Sequence, residues 1–503
     1  MSKISIFILV LSVSACSGSI QENEKLHIFM HYLMAGEPGQ TSIIFQSRLA
    51  ASDTIIYEDV HDPEKLMQTD LPGKAGFARF EYGNDPELQN KFASNWLEAA
   101  ANSDFIIKYK VDNLEPGTQY YYRLCFGEDT SRLAYSDIQS FGTLPARDSE
   151  STIAFTMVTG SHLARFYLGG GFGAPSSQGV SAYRGEDKYE GFHGFETMAG
   201  MQPDFFISNG DNVYYDHPPK HSATTLEEMR SMWHRQFFMP RMRHFLASVP
   251  VFWMKDDHDH RFDDSDTVAI NKTFGTEPSN ELGIRTFIEQ VPVVDPESTD
   301  PKTYRTVRVN KDVQLWMVEG RDYRSPNALP DGPEKSIWGI EQKKWLKETL
   351  KESDATFKIL VTPTPMVGPD GAGKTDSHAN PDGFMHEGNE FFAWLAAEGF
   401  SPNNFFILTG DRHWQYHSIH PSGYHEFSCG AMVDQNSRLG IDPGTPNSND
   451  PDGKIQQPYT SREPSGGFLM VKAVESAETE KHVNLLFYDE NGEELYTYTI
   501  SAN

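Results

Sequence analysis

Cysteine is nearly missing from this chain, with three in 503 residues. One of them is Cys16, so the body of the protein holds only Cys125 and Cys429. Two distant cysteines cannot form a disulfide framework. Basic residues are also few: 43 Lys and Arg stand against 71 Asp and Glu, for a net charge of −28. That balance excludes non-specific binding to nucleic acid or to an anionic membrane. An anionic substrate would need local positive charge, and bound metal ions can supply it. Long apolar runs are absent as well, so no segment can span a bilayer as a helix.

The longest apolar run, Ile4 to Val13, follows Lys3 and ends in Val13-Ser-Ala-Cys16. It is too short for a transmembrane helix and is read as a signal peptide, residues 1–16. Val-Ser-Ala-Cys is similar to the bacterial lipobox, whose Cys carries lipid in the mature chain. The expectation is export, as a lipoprotein of the periplasm or outer membrane. Membrane attachment would then run only through Cys16.

The length is too great for one ordinary core, and two domains are expected. After a polar tether at 17–25 come short alternating strands: Thr41 to Leu49, Phe105 to Val111 and Gln119 to Cys125. Leu114-Glu-Pro-Gly-Thr-Gln-Tyr120 resembles the turn of fibronectin type III-like sandwiches. Residues 26–145 are therefore expected to be a small all-β module, and 152–503 a second, α/β domain. In the second domain apolar runs read as strands at Ile153, Phe205, Val251, Val313, Phe357 and Phe405. Helices are expected at Asp187 to Gly200, Thr224 to Ser248, Gly339 to Ser353 and His386 to Gly399. Strands dominate from Gly467 to Ser501. Mixed strands with helices early and hairpins late fit a two-sheet α/β sandwich. Gly169 to Pro175 reads as a connector or a lid.

Three strands empty into ligand-type side chains. The first gives Gly210-Asp-Asn-Val-Tyr214. There a glycine allows a tight turn, Asp211 has two oxygens with which to bridge two ions, and Tyr214 can act as a phenolate. The second gives Asp256-Asp-His-Asp-His260, adjacent carboxylates that would be costly to bury without a cation. Asp263, Asp264 and Asp266 follow, as a site for a further hard ion such as Ca²⁺ or as a solvated charge run. The third gives Gly410-Asp-Arg-His413, with Asp411 and His413 on one side of an extended loop. Three such strand ends point to one polynuclear metal site at the carboxyl end of a sheet. Arg321 and Arg324 follow another strand end, where a guanidinium holds either phosphoryl oxygens or a neighbouring acid. His417 and His420 read as ordinary structural histidines. Gly368-Pro-Asp-Gly-Ala-Gly-Lys-Thr375 matches the phosphate-binding loop of nucleotide hydrolases letter for letter, but its context contradicts that function. Pro363 and Pro365 separate it from the strand, and Asp376 to Gly383 cannot open a helix.

In this order, behind a fibronectin-like module, the motifs resemble the PhoD-like branch of the calcineurin-like metallophosphoesterases. The resemblance implies a four-layer αββα sandwich and a centre of two or three metal ions, Fe³⁺ with Ca²⁺ by preference and Zn²⁺ or Mn²⁺ as alternatives. It also implies hydrolysis of small-molecule phosphoesters outside the cytoplasm. Carried over, Asp211 is the bridging carboxylate and Tyr214 the ferric phenolate. Asp257, Asp411 and His413 are further ligands, and His258 is the general acid to a metal-activated hydroxide. Family members commonly have Gly-Ser-Cys at the first motif. Here it is Gly160-Ser-His162, which puts the harder imidazole of His162 at that ligand position. Arg321 and Arg324 would steady developing charge. The alternatives are a diesterase acting on lipid headgroups or cell-wall polymers, and a surface lipoprotein that binds glycan without catalysis.

Overall fold

The computed structural model describes residues 26–55, 58–169, 180–273, 275–474 and 481–502. The leader, the tether and all of the glycine-rich loop after Gly169 lie outside the described residues. Two large sheets carry the architecture. The first runs, strand by strand, 494–501, 482–489, 467–474, 153–158, 205–209, 251–254, 29–36, 43–50 and 106–111. The second runs 305–308, 313–317, 357–362, 405–409, 425–429, 415–419 and 456–460. At the centre of each sheet the strands are parallel, and the flanks are antiparallel.

Alternation along the central strands builds four layers. Phe205, Ile207, Phe252 and Met254 from the first sheet meet Leu315, Met317, Ile359, Val361, Phe406 and Leu408 from the second. On the outer face of the first sheet, Phe206 and Trp253 pack under helices that bring Met198, Trp233, Phe245 and Phe287. On the outer face of the second, Trp316, Leu360 and Ile407 pack under Leu346, Phe391 and Leu395. Strands buried on both faces must be apolar at every position, which is why these segments read as continuous runs. The result is the expected αββα sandwich.

Two helices differ from expectation. The stretch 224–248 is not one helix but two, Leu226–Phe238 and Pro240–Ser248. Pro240 cannot donate to an earlier carbonyl and opens the second helix at its first position instead. The stretch from Asp187 likewise divides at Gly191, whose φ is +87°, and the helix proper is His193–Met201. Cys125 and Cys429 are both buried and unbridged.

The N-terminal module is a β-sandwich with its own core of Phe45, Phe80, Tyr122 and Phe141. It is not a detached bead. Its strand Phe29–Gly36 pairs in parallel with Val251–Met254 through Gly36 and Val251, so one of its faces continues the first large sheet. A Cβ on Gly36 would fall 2.6 Å from Pro292, so the close packing of Pro292 on this strand requires glycine. Tyr122 Oη donates to the Ala247 carbonyl at 2.8 Å, and Arg305 clasps Glu37 at 2.5 Å across the same seam. The boundary expected near 145–152 breaks the chain but not the sheet.

Candidate metal centre

The carboxyl ends of the parallel strands of both sheets converge on one point. Asn209 Nδ2 donates to the Thr362 carbonyl at 3.0 Å, tying the two sheets where their strands end. Gly410 sits so close that a Cβ there would lie 2.6 Å from the Asn209 carbonyl oxygen. Gly210 has φ +81°, and a Cβ there would meet Asp256 Cβ at 2.6 Å. The residues after these glycines, Asp211 and Asp411, are held at φ 54° and 60°. Non-glycine residues in the left-handed region are uncommon and gather at functional sites.

Asp211 is the hub. Tyr214 Oη donates to Asp211 Oδ2 at 3.0 Å and lies 3.2 Å from His413 Nε2, which in turn is 3.4 Å from Asp211 Oδ2. That triangle offers one oxygen-rich site. Asp211 also belongs to a second group, with Asp257 and His258, whose donor atoms lie within 4.8 Å of one another. A third group, Asp257, Asp263 and Asp264, adjoins it at the surface.

The second-site residues are oriented by their neighbours. Asp257 accepts the His258 amide at 2.9 Å and the Asp264 amide at 2.6 Å. His258 Nδ1 is bonded to Asp216 Oδ1 at 2.8 Å, leaving only Nε2 to face the centre. Asn436 Nδ2 donates to Tyr214 Oη at 2.9 Å and to the Gly160 carbonyl at 2.9 Å, fixing the phenol ring.

Four of the expected participants stand apart from these groups. His162 stacks on Tyr214, with ring centroids 3.7 Å apart, and its Nδ1 caps the helix Leu163–Leu168 by accepting the Arg165 amide at 3.2 Å. It lies outside the three donor groups. Asp411 turns its Oδ2 to Arg412 Nη1 at 2.8 Å and is outside them too. Arg321 and Arg324 were read as holding either phosphoryl oxygens or a neighbouring acid, and here each has protein partners on Nε and Nη1. Arg321 spends Nε on Asp256 Oδ1 at 2.6 Å and Nη1 on the Ser265 carbonyl at 3.0 Å. Arg324 spends Nε on the Gly320 carbonyl at 2.7 Å and Nη1 on the Asp376 carbonyl at 3.1 Å. A strand-end guanidinium among so many acids pairs with them first.

Several participants gave little sign in the sequence. Asp216 ends the stretch that holds Asp211, and its spacing to His258 carries no motif. Asn436 ends a short 3-10 helix, Asp434–Asn436, that carries no sequence signal. Lys374 belongs to the segment that imitates a phosphate loop, and Asp376 directly follows it. Asp376 is 1% exposed.

The donor set fits cations. Asp211 Oδ1, Asp256 Oδ2 and both Asp376 oxygens are buried with no hydrogen-bond donor. Such oxygens are costly unless a positive charge faces them. Burial, against Arg321 and with the charges of Asp257 and Asp411, pushes Asp256 up to about 7. Burial, against Arg412 and with Asp376 and Asp257, pushes Asp411 to about 7 as well. Asp211 is raised well above the carboxylate range, by burial first, and the acids around it outweigh His258. Burial would also raise Asp257, but Arg321 and His258 overturn this and hold it far below. Burial would lower His258, but Asp216, Asp257 and Asp211 hold it well above its usual value. Oxygen donors with imidazole and phenol suit hard metal ions.

Comparison with known proteins decides the family. The model of the PhoD-like phosphatases matches residues 176–451, and that of their N-terminal domain matches residues 15–145. The chain belongs to the PhoD-like phosphatase family. Alkaline phosphatase D of Bacillus subtilis (strain 168) is 21% identical over 447 residues, covering 80% of this chain and 67% of that protein. A solved structure of PhoD superposes with a TM-score of 0.67 at 17% identity, covering 94% of this chain and 92% of its own. The purple acid phosphatase PPD1 of yellow lupin (Lupinus luteus) superposes with a TM-score of 0.56 at 13% identity, covering 95% and 74%. As a PhoD-like phosphatase this chain is a phosphoester hydrolase with a metal-capable centre, and the non-catalytic alternative falls away.

Proposed function

We propose that this PhoD-like chain is an exported, metal-dependent hydrolase of small phosphoesters, with His258 as general acid. The observation that carries this reading is the double membership of Asp211. It shares one donor triangle with Tyr214 and His413 and a second group with Asp257 and His258, as a carboxylate between two ions must. Asp211, Tyr214 and His413 would hold the first ion, Fe³⁺ by the hardness of the phenol, and Asp211 with Asp257 the second, Ca²⁺ by preference. Metal ions at such a centre supply Lewis-acid stabilisation to a phosphoryl group and acidify water.

The protein's own groups do the rest. Asp216 accepts a hydrogen bond from His258 Nδ1–H, which fixes the ring, and its negative charge favours the cationic imidazole. Nε2 then carries the proton that goes to the leaving oxygen. Arg321 braces Asp256 and stands 3.9 Å from Asp257, holding the carboxylate pair in place. Asn436 holds the Tyr214 oxygen where it meets Asp211 and His413. Export, with a lipid anchor on Cys16, is proposed from the leader alone.

The test is turnover of 4-nitrophenyl phosphate and bis(4-nitrophenyl) phosphate by the purified, metal-loaded protein. Asp211→Ala should abolish both, with loss of bound metal by elemental analysis. Tyr214→Phe should remove a visible phenolate-to-metal band. Full metal content and activity in Asp211→Ala would sink the reading. The ratio of the two rates decides monoester against diester.

A further inference from the structure

The third acidic group, Asp257, Asp263 and Asp264, raises a question about ion number that the centre answers itself. Lys374 Nζ donates to both oxygens of Asp264, at 2.5 and 2.7 Å. The lysine arrives on a braced loop. Its amide bonds to the Gly371 carbonyl at 3.1 Å, and the Ala372 amide to the Asn447 carbonyl at 2.9 Å. Asp370 is held by the Asn449 side chain at 2.9 Å and by Arg412 Nη2 at 2.6 Å. Bracing lowers the conformational entropy lost in holding the ammonium there. A second observation points the same way. Asp376, two residues on and buried with neither oxygen given a hydrogen-bond donor, is the charge acting most strongly on Lys374.

We propose that Lys374 is a built-in cation that takes the place of an outermost metal ion, so that this centre binds metal at its two inner positions only. An ammonium on both Asp264 oxygens takes one lone pair of each and already neutralises the carboxylate, and a divalent ion brought beside it is repelled by a like charge at close range. The loop that copies a phosphate-binding motif thus serves a different end: its lysine faces carboxylates, not phosphate. The inference rests on the metal-centre reading above, but its test is separate from the test of that reading.

The test counts metal per chain by elemental analysis, after iron loading and dialysis against Ca²⁺. Wild type should hold two ions. Lys374→Met, which keeps the side chain's bulk without its charge, should hold one more than wild type. Lys374→Arg, which keeps the charge, should match wild type. Adding Asp264→Asn to Lys374→Met should remove the extra ion again. Equal counts in wild type and Lys374→Met, in chains shown folded by near-ultraviolet circular dichroism, would overturn the inference. So would three ions in wild type. A wild-type count of zero would instead overturn the metal-centre reading, and the inference that rests on it would fall with it.

Discussion

At the scale of single residues, the centre depends on pairs in which one member does chemistry and the other sets its charge. His258 and Asp216 are the clearest. The general-acid role requires a proton on Nε2, and burial alone would strip it. The Asp216 carboxylate, with Asp257 and Asp211, reverses that and raises the imidazole's pKa. Activity limited by this proton is full while His258 is protonated and falls as pH rises through its pKa. Asp216→Asn removes the nearest negative charge, so the alkaline limb of kcat should move to lower pH while the optimum rate changes little. His258→Asn should lower kcat by roughly 10²- to 10⁴-fold at every pH, the usual contribution of a positioned acid. An unmoved alkaline limb in Asp216→Asn would assign that limb to another group. Partners of this kind were hard to read in advance. An acid or imidazole at a strand end announces itself, as Asp211 and His413 did, and the structure brings the two within 3.4 Å. The residue that tunes it can come from anywhere, as Asn436 does from a 3-10 turn 222 residues beyond Tyr214.

At the scale of elements, the site is made by strand ends and the glycines that turn them. The strands were legible because burial on both faces leaves an apolar run with nothing polar to interrupt it. Helix limits were legible only where a break was counted as a break, and Pro240 is the plain example. What pattern could not show was which strand lies next to which. The pairing of Gly36 with Val251 joins segments far apart in sequence, and the packing of Pro292 over that strand depends on a missing side chain. The same dependence makes Gly210 testable. Alanine there would sit at a left-handed φ and press its Cβ on Asp256 at 2.6 Å. Gly210→Ala should cost about 2 kcal/mol or more in denaturant unfolding, and it should lower metal content as Asp211 and Asp256 shift. Gly200→Ala makes the control. It lies in the helix His193–Met201, and a Cβ there would meet nothing within 4 Å. It should change neither quantity for the worse.

At the scale of the whole molecule, a chain of net charge −28 has gathered more acids at one point than its own cations can balance. Lys374, Arg321 and Arg412 answer some of them, and the rest shape how stability responds to pH. Asp256, Asp264 and Asp411 are each pushed to about 7, by burial first and then by neighbouring acids. An unfolded aspartate titrates near 3.9, so between about pH 4 and 7 the folded chain binds more protons than the unfolded one. Stability from these groups is therefore full at the acid end of that window and is lost as pH rises through it. Asp257 and Asp376 run the other way, but their ordinary range lies below this window, and they contribute a constant gain across it. Buried histidines such as His162 and His413, lowered by burial, add stability as pH rises to about 6.5 and no more above it, so metal-stripped protein should melt at progressively lower temperature from about pH 6.5 to pH 8. Reloading should raise the melting temperature most at pH 8, because a cation binds the carboxylate and not the acid. A metal-free melting curve that does not move across that range would mean these carboxylates are balanced without metal, and the case for a cation-shaped centre would lose its electrostatic half.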